Sequence, residues 1–279
     1  MDTKKVWFIT GASKGLGLSL VNQLLKAGQY VVATSRNIDD LIKVTNSDSE
    51  NFLPLAVDLK DDKDVEKAIS QAVKKFNRID VVINNAGYGI GGSIEELNDD
   101  ETRASFDVNI FGTLNVIRNV MPYLRLQKSG HIINISSIAG FTGATGWAVY
   151  SASKAAVIGL SEVLAEDVKS FGIKVTVVAP GAFRTNFLKP DSLTLPQNTI
   201  SEYEEVRNSH ARYLKMDGEQ IGDPEKAASA MIAIVALPEP PLHLLLGNDA
   251  YQRANAKIQY LEKEFKQWET ITNSTSFTN

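Results

Sequence analysis

The chain contains no cysteine, so disulfides and thiolate metal sites are excluded from the outset. Histidine is scarce. His131, His210 and His243 stand far apart, which argues against a histidine-rich metal centre. No basic block occurs, and 33 acidic residues outweigh 29 Lys and Arg to leave a net charge of −4. A nucleic-acid partner is therefore not expected. Long hydrophobic runs are missing too, none approaching the ~18 apolar residues of a membrane span. The opening Met1-Asp2-Thr3-Lys4-Lys5 leads into an apolar stretch far shorter than a signal-peptide core. These absences predict a cytoplasmic protein with no membrane partner. No repeat, low-complexity tract or linker divides the chain.

What is present is a regular alternation. At 279 residues and 43% hydrophobic content, one substantial core is the natural expectation. Apolar runs at 6–10, 30–34, 52–57, 81–83, 131–135, 174–178 and 242–246 read as strands. Helical spacing fills the gaps: Leu18 to Leu25 before Gly28, then 39–44, 61–76 and 150–171 before Gly172. A further helix opens on Asn98 with Glu101 as its capping acid and runs towards Pro122. Another opens on Asp223-Pro224, and 249–268 is amphipathic, with a frayed polar tail after Thr270. The stretch 186–218 reads as polar and irregular, with helix possible from Ser201. Strand–helix alternation predicts an α/β fold, a doubly wound parallel sheet of about seven strands with helices on both faces. In such sheets ligands bind beyond the carboxyl ends of the strands. The unusual clusters all fall there: the glycine turn after residue 10, Arg36, Asp58, Asn84 to Gly87, Ser136-Ser137 and Pro180-Gly181.

Tyr150 and Lys154 are four apart at a helix start, so they share a face. An ammonium beside a phenol is expected to lower the tyrosine pKa from its usual ~10, as a general acid–base requires. Thr10-Gly11-Ala12-Ser13-Lys14-Gly15-Leu16-Gly17 gives glycines for a tight turn and close backbone approach to a pyrophosphate at a helix N-terminus. Its spacing is Gly-x-x-x-Gly-x-Gly, and no Gly-Lys-Ser/Thr ends it, which disfavours a P-loop. In a dinucleotide fold the end of the second strand meets the adenosine ribose. An acid there binds the 2′-hydroxyl, whereas an arginine accommodates a 2′-phosphate. The chain has Arg36, with Lys14 in the glycine turn, and guanidinium suits phosphate.

Taken together, these motifs resemble the short-chain dehydrogenase/reductase family over almost the whole length. They are Thr10-Gly-x-x-x-Gly-x-Gly17, Asp58-Leu59, Asn84-Asn-Ala-Gly87, Asn109, Ser137 with Tyr150-x-x-x-Lys154, and Pro180-Gly181 followed by Thr185. The resemblance implies a single-domain Rossmann fold and an NADP(H)-dependent oxidoreductase acting on a small carbonyl or alcohol. By that resemblance Tyr150 is the acid–base, Lys154 lowers its pKa and holds the nicotinamide ribose, and Ser137 hydrogen-bonds the substrate oxygen. Asn109 binds a water in a proton relay through Lys154. Cofactor contacts are expected from Gly11, Ser13, Lys14, Gly15, Leu16, Gly17, Arg36, Asp58, Leu59, Asn85, Ala86, Gly87, Tyr150, Lys154, Pro180, Gly181 and Thr185. The Ala33-Thr34-Ser35-Arg36 ending resembles the branch that includes hydroxysteroid and retinol dehydrogenases. A substrate lid over 186–218 and a homo-oligomer, dimer or tetramer, are expected. The C-terminal part departs from the family pattern, with no clear Val-Asp-Gly-Gly near the last strand.

The same residues admit two other readings. Ser151-Ala-Ser-Lys154 is also Ser-x-x-Lys, a nucleophile motif of acyl-transfer enzymes, but its Ser-Asp-Asn and Lys-Thr-Gly partners are absent. A non-catalytic NADP(H)-sensing protein on the same fold is opposed by the intact Asn109, Ser137, Tyr150 and Lys154.

Overall fold

The computed structural model describes residues 4–277. In chain order its first half comprises β1 (Val6–Ile9), α1 (Gly15–Lys26), β2 (Tyr30–Ser35), α2 (Ile38–Thr45), β3 (Phe52–Ala56), α3 (Asp62–Phe76), β4 (Val81–Asn84), the two-residue β5 (Gly89–Ile90), α4 (Asp99–Phe106) and α5 (Gly112–Gln127). There follow β6 (Gly130–Ile135), α6 (Ile138–Phe141), α7 (Ala148–Val168), β7 (Ile173–Pro180), the two-residue β8 (Leu193–Thr194), α8 (Glu204–Lys215), α9 (Pro224–Ile234), β9 (His243–Leu246), α10 (Asn248–Gln267) and α11 (Glu269–Asn273).

Seven strands form one parallel sheet in the order β3-β2-β1-β4-β6-β7-β9. The order reverses between β1 and β4, which opens a crevice at their carboxyl ends. Strands in such a sheet are covered on both faces and so are apolar throughout. In β1 all four residues are buried, with Trp7 and Ile9 in one core layer and Val6 and Phe8 in the other. The first layer takes Leu20, Val21 and Leu24 of α1 and Ala227, Ala228 and Met231 of α9. The second takes Val65 and Ile69 of α3, Val116 and Val120 of α5, and Val168 at the end of α7. The arrangement is a single-domain Rossmann-type fold.

Local signals hold where expected. Glu101 N–H donates to Asn98 Oδ1 at 2.8 Å and Asn98 N–H to Glu101 Oε2 at 3.0 Å, a complete capping box. Asp223 caps α9 ahead of Pro224. Three expectations are corrected. The helix from Asn98 does not end near Pro122. It passes through a π-helical turn, Asp107–Phe111, and continues five residues beyond the proline to Gln127. Interior proline costs ~3 kcal/mol, and burial of Val116, Ile117, Val120 and Leu124 on the same helix offsets it. The tail after Thr270 begins in α11. The stretch 186–218 is largely regular, holding a 3-10 turn (Asn186–Leu188), β8 paired with β5, and α8. Its anchor is Glu96, which accepts from Ile200 N–H at 2.9 Å and from Arg207 Nη1 at 2.6 Å. No local pattern announces that contact, because its partners lie more than 100 residues apart.

The segment Ala148–Phe171 is long and apolar enough, by length and composition, to cross a membrane. One of its faces packs on β7 and β6, with Val157, Ser161 and Val168 buried.

Candidate active site

The glycine turn and the end of β4 are built as one unit. Thr10 Oγ1 accepts the N–H groups of Asn85 and Ala86, each at 3.0 Å. Asn85 Nδ2 returns two bonds, to the carbonyls of Thr10 at 3.0 Å and Gly11 at 2.9 Å. Gly11 has φ +64°, and a Cβ there would meet Ala86 Cα at 2.7 Å. One on Gly17 would come within 2.6 Å of Asn85 Nδ2. Only glycine fits both positions. Helix α1 then begins on Lys14 with no side-chain cap and no acid in its first turn. An uncapped N-terminus carries partial positive charge and free N–H donors, a ready anion site.

Around this crevice stand the cations. Lys14 is partly buried and Arg36 exposed. Burial lowers the Lys14 pKa, Asp191 raises it, and Arg36 lowers it again, which is the mutual repulsion of two nearby positive charges. Lys14 Nζ donates to the carbonyl of Asp191 at 3.0 Å, a contact the sequence did not suggest. Ser13, Gly15 and Leu16 complete the turn, and a Cβ on Gly15 would lie 3.4 Å from Thr185 Cβ. The Pro180-Gly181-to-Thr185 segment thus borders the same space. At the β3 end Asp58 is exposed and accepts from Lys60 N–H at 3.0 Å, while the Leu59 carbonyl accepts from Asn115 Nδ2 at 2.9 Å.

Beyond Ala86 and Gly87 lie the candidate catalytic side chains. A Cβ on Gly87 would sit 2.9 Å from Asn109 Oδ1 and 3.2 Å from Lys154 Nζ, so those two groups flank it. Asn109 is buried in the π-helical turn, not on a solvated face. Its Oδ1 accepts from Tyr88 N–H at 3.0 Å, and its Nδ2 donates to the Tyr88 carbonyl at 3.1 Å and Ser153 Oγ at 3.2 Å. Helix α7 starts on Trp147 without a side-chain cap, placing Tyr150 in its first turn and Lys154 one turn on. Lys154 Nζ donates to the Ile135 carbonyl at 3.0 Å and lies 5.9 Å from the Tyr150 ring centroid. Ser137 caps the short α6 through Ala139 N–H at 3.1 Å, and its hydroxyl lies near enough to the Tyr150 phenol to pull that group's pKa down. Ser136 Oγ instead donates to the Lys154 carbonyl at 2.7 Å, a structural bond.

One expectation about this trio is reversed. Burial pushes the Tyr150 phenol up to about 12, the Ser137 hydrogen bond pulling against the rise and the Tyr213 phenol adding to it. Burial also drives Lys154 down to about 8. Desolvation disfavours both charged forms and outweighs the proximity of ammonium and phenol. Ser151 Oγ is buried with no hydrogen-bond partner among the described residues, and the Lys154 amine is committed to Ile135. No serine–lysine nucleophile pair forms.

An aromatic wall closes the substrate side. Phe187 lies 5.6 Å from the Tyr150 ring, and Trp147 lies 5.3 Å from His210 and 5.0 Å from Tyr213. Tyr150 itself is only 7% exposed, so residues 186–218 cover it in this conformation. Tyr88 and Ser153 help build this arrangement and stand in none of the motifs, while Thr10, at the head of the glycine motif, ties that turn to the end of β4.

The short chain dehydrogenase family model matches residues 5–196. Oxidoreductase BOA17 of Botryotinia fuckeliana is 40% identical over 271 residues, 96% of this chain and 98% of that protein. A short-chain dehydrogenase from Streptomyces avermitilis superposes with a TM-score of 0.90 at 32% identity, covering 99% of both chains. The structure of ElxO with NADP bound gives 0.72 at 29% identity over 88% of this chain and 97% of that one.

Proposed function

The chain belongs to the short-chain dehydrogenase family, and from that premise we propose an NADP(H)-dependent oxidoreductase acting on a carbonyl/secondary-alcohol pair. The observation that carries this reading is that Lys154 flanks Gly87 and lies 5.9 Å from the Tyr150 ring, with Ser137 close to the Tyr150 phenol, beside a crevice that ends in an uncapped helix N-terminus. The donor set fits a dinucleotide phosphate. The α1 N-terminus and glycine turn would hold the pyrophosphate, and Lys14 and Arg36 the 2′-phosphate. Asp58, Leu59, Asn85, Ala86 and Gly87 would line the adenosine side, and Pro180, Gly181, Thr185 and Lys154 the nicotinamide side. When bound, the nicotinamide supplies or accepts the hydride.

The chain's own residues handle the proton. Tyr150, neutral at pH 7 with its pKa near 12, donates to the substrate oxygen in reduction. Ser137 hydrogen-bonds the same oxygen. Lys154, protonated below about 8, supplies the positive charge that stabilises the phenolate left behind. Asn109 fixes the Tyr88 backbone and the Ser153 hydroxyl, and so the wall on which Lys154 lies. A proton passed from solvent through a water held at Asn109 and then Lys154 would restore the phenol. The phenol's high pKa favours reduction near neutral pH and oxidation at alkaline pH. Residues 186–218 act as the lid, with Phe187 over Tyr150. The lid predicts slower proteolysis there when cofactor and substrate are both bound. In this reading the enzyme is a cytoplasmic homo-oligomer. The test is a panel of carbonyls and alcohols followed at the nicotinamide absorbance with both cofactors. Turnover of carbonyls with NADPH supports the reading, and no turnover of any member with either cofactor opposes it.

A further inference from the structure

The turn after β7 is gripped from outside by a residue of α10. Gly181 N–H donates to the Leu246 carbonyl at 2.8 Å, and the next amide, Ala182 N–H, donates to Asp249 Oδ2 at 2.8 Å. The carboxylate sits so close that a Cβ on Gly181 would overlap both its oxygens, and a Cβ on Gly247 would come within 2.6 Å of Oδ1. Asp249 Oδ1 is buried and has no hydrogen-bond partner among the described residues. A half-satisfied buried carboxylate costs stability. Core packing does not require it, since Ala250 and Ala254 are the α10 residues that join the core.

The consequence is geometric. A planar trans peptide points its C=O opposite to its N–H. With Ala182 N–H turned to α10, the Gly181 carbonyl is turned away from α10. The same turn runs on to Thr185, which abuts the glycine turn at Gly15. Where the family pattern has Val-Asp-Gly-Gly, this chain has Leu244-Leu245-Leu246-Gly247-Asn248-Asp249. We propose that Asp249 is a positioning residue for the nicotinamide end of the cofactor site. It locks the peptide joining Gly181 and Ala182 so that a carboxamide finds a fixed acceptor. The inference rests on the NADP(H) reading above.

The experiment titrates wild type, Asp249→Ala and Asp249→Asn with NADPH and, in parallel, with adenosine 2′,5′-bisphosphate, which lacks the nicotinamide half. Asp249→Ala weakens NADPH about tenfold and Asp249→Asn about threefold, since the amide oxygen still accepts but without charge. Binding of the bisphosphate stays within twofold in both variants. If Asp249→Ala does not fold, the graded loss in Asp249→Asn against unchanged bisphosphate binding carries the test. Equal losses for both ligands, or NADPH binding unchanged in a folded variant, overturn the proposal. A wild type that binds bisphosphate and NADPH while the variants match it sinks this inference alone. A wild type that binds neither ligand overturns the NADP(H) reading, and this inference with it.

Discussion

Helices α1 and α3 leave the same edge of the sheet and start in opposite ways. Helix α3 opens on Asp61, whose carboxylate accepts from Lys63 N–H at 2.9 Å, with Asp62 and Asp64 in its first turn. Helix α1 opens on Lys14, with no cap and no acid. One N-terminus is completed by its own side chains. The other is left open, between two cations, in the crevice where the strand order reverses. A side-chain cap stabilises by ~1 kcal/mol, so α1 forgoes stability that α3 keeps. The same contrast recurs in α7, where Tyr150 and Lys154 are buried at a desolvation cost that apolar residues would avoid. In both places stability is given up at residues to which the proposed function assigns a ligand or a proton.

The largest effect expected from breaking this contrast is at Tyr150. Tyr150→Phe keeps the ring and removes the proton, so turnover in the carbonyl assay falls by ~10²–10⁴, with NADPH binding retained. Near-normal turnover would remove Tyr150 from the chemistry.

Lys154→Met sharpens the trade. The lysine pKa falls from 10.5 to about 8 in the fold, a destabilisation of about 3 kcal/mol at neutral pH. Because the folded pKa lies below the unfolded one, the unfolded chain binds more protons between pH 8 and 10.5, and stability rises with pH across that window. The methionine variant is expected to lose turnover and to unfold at higher denaturant than wild type at pH 7. That advantage should shrink from pH 8 to 10.5. A variant less stable than wild type at pH 7, with no pH dependence in the difference, contradicts the desolvation account.

Lys14→Asp makes α1 resemble α3. The backbone at residue 14 is already extended, φ −158° and ψ 168°, as an N-cap requires. Stability is expected to rise by up to about 1 kcal/mol, while NADPH affinity drops tenfold or more. Thermal melting and cofactor titration on one sample check both halves. The smallest effect is the reverse change, Asp61→Ala, which removes the α3 cap, costs ~1 kcal/mol and leaves turnover as it was. A loss of turnover there would blur the distinction between the two helix starts.

Much of this site was legible in sequence because its parts are local. Three glycines after a strand, a tyrosine and lysine one helical turn apart, and Asn98 with Glu101 each announce a geometry within eight residues. What stayed hidden depends on distant partners. The sign of the Tyr150 shift follows from burial by distant residues such as Phe187 and Tyr213, 37 and 63 positions downstream. The order of 186–218 depends on Glu96, and Lys14 meets Asp191 across 177 positions. Asp249 reaches Ala182 from 67 positions away. The π-helical turn that buries Asn109 has no local signature, so its helix read as unbroken.

The central claim is that the open start of α1, with Lys14 and Arg36, is built for a 2′-phosphorylated dinucleotide. Fluorescence titration of wild type and Arg36→Asp with NADPH and NADH tests it directly. Wild type is expected to bind NADPH at least tenfold more tightly, a charge-assisted contact being worth that much, with a wider gap at low salt. Arg36→Asp should narrow or reverse the preference. Equal affinity of the wild type for NADH and NADPH would contradict the account and return Lys14 and Arg36 to the solvated surface.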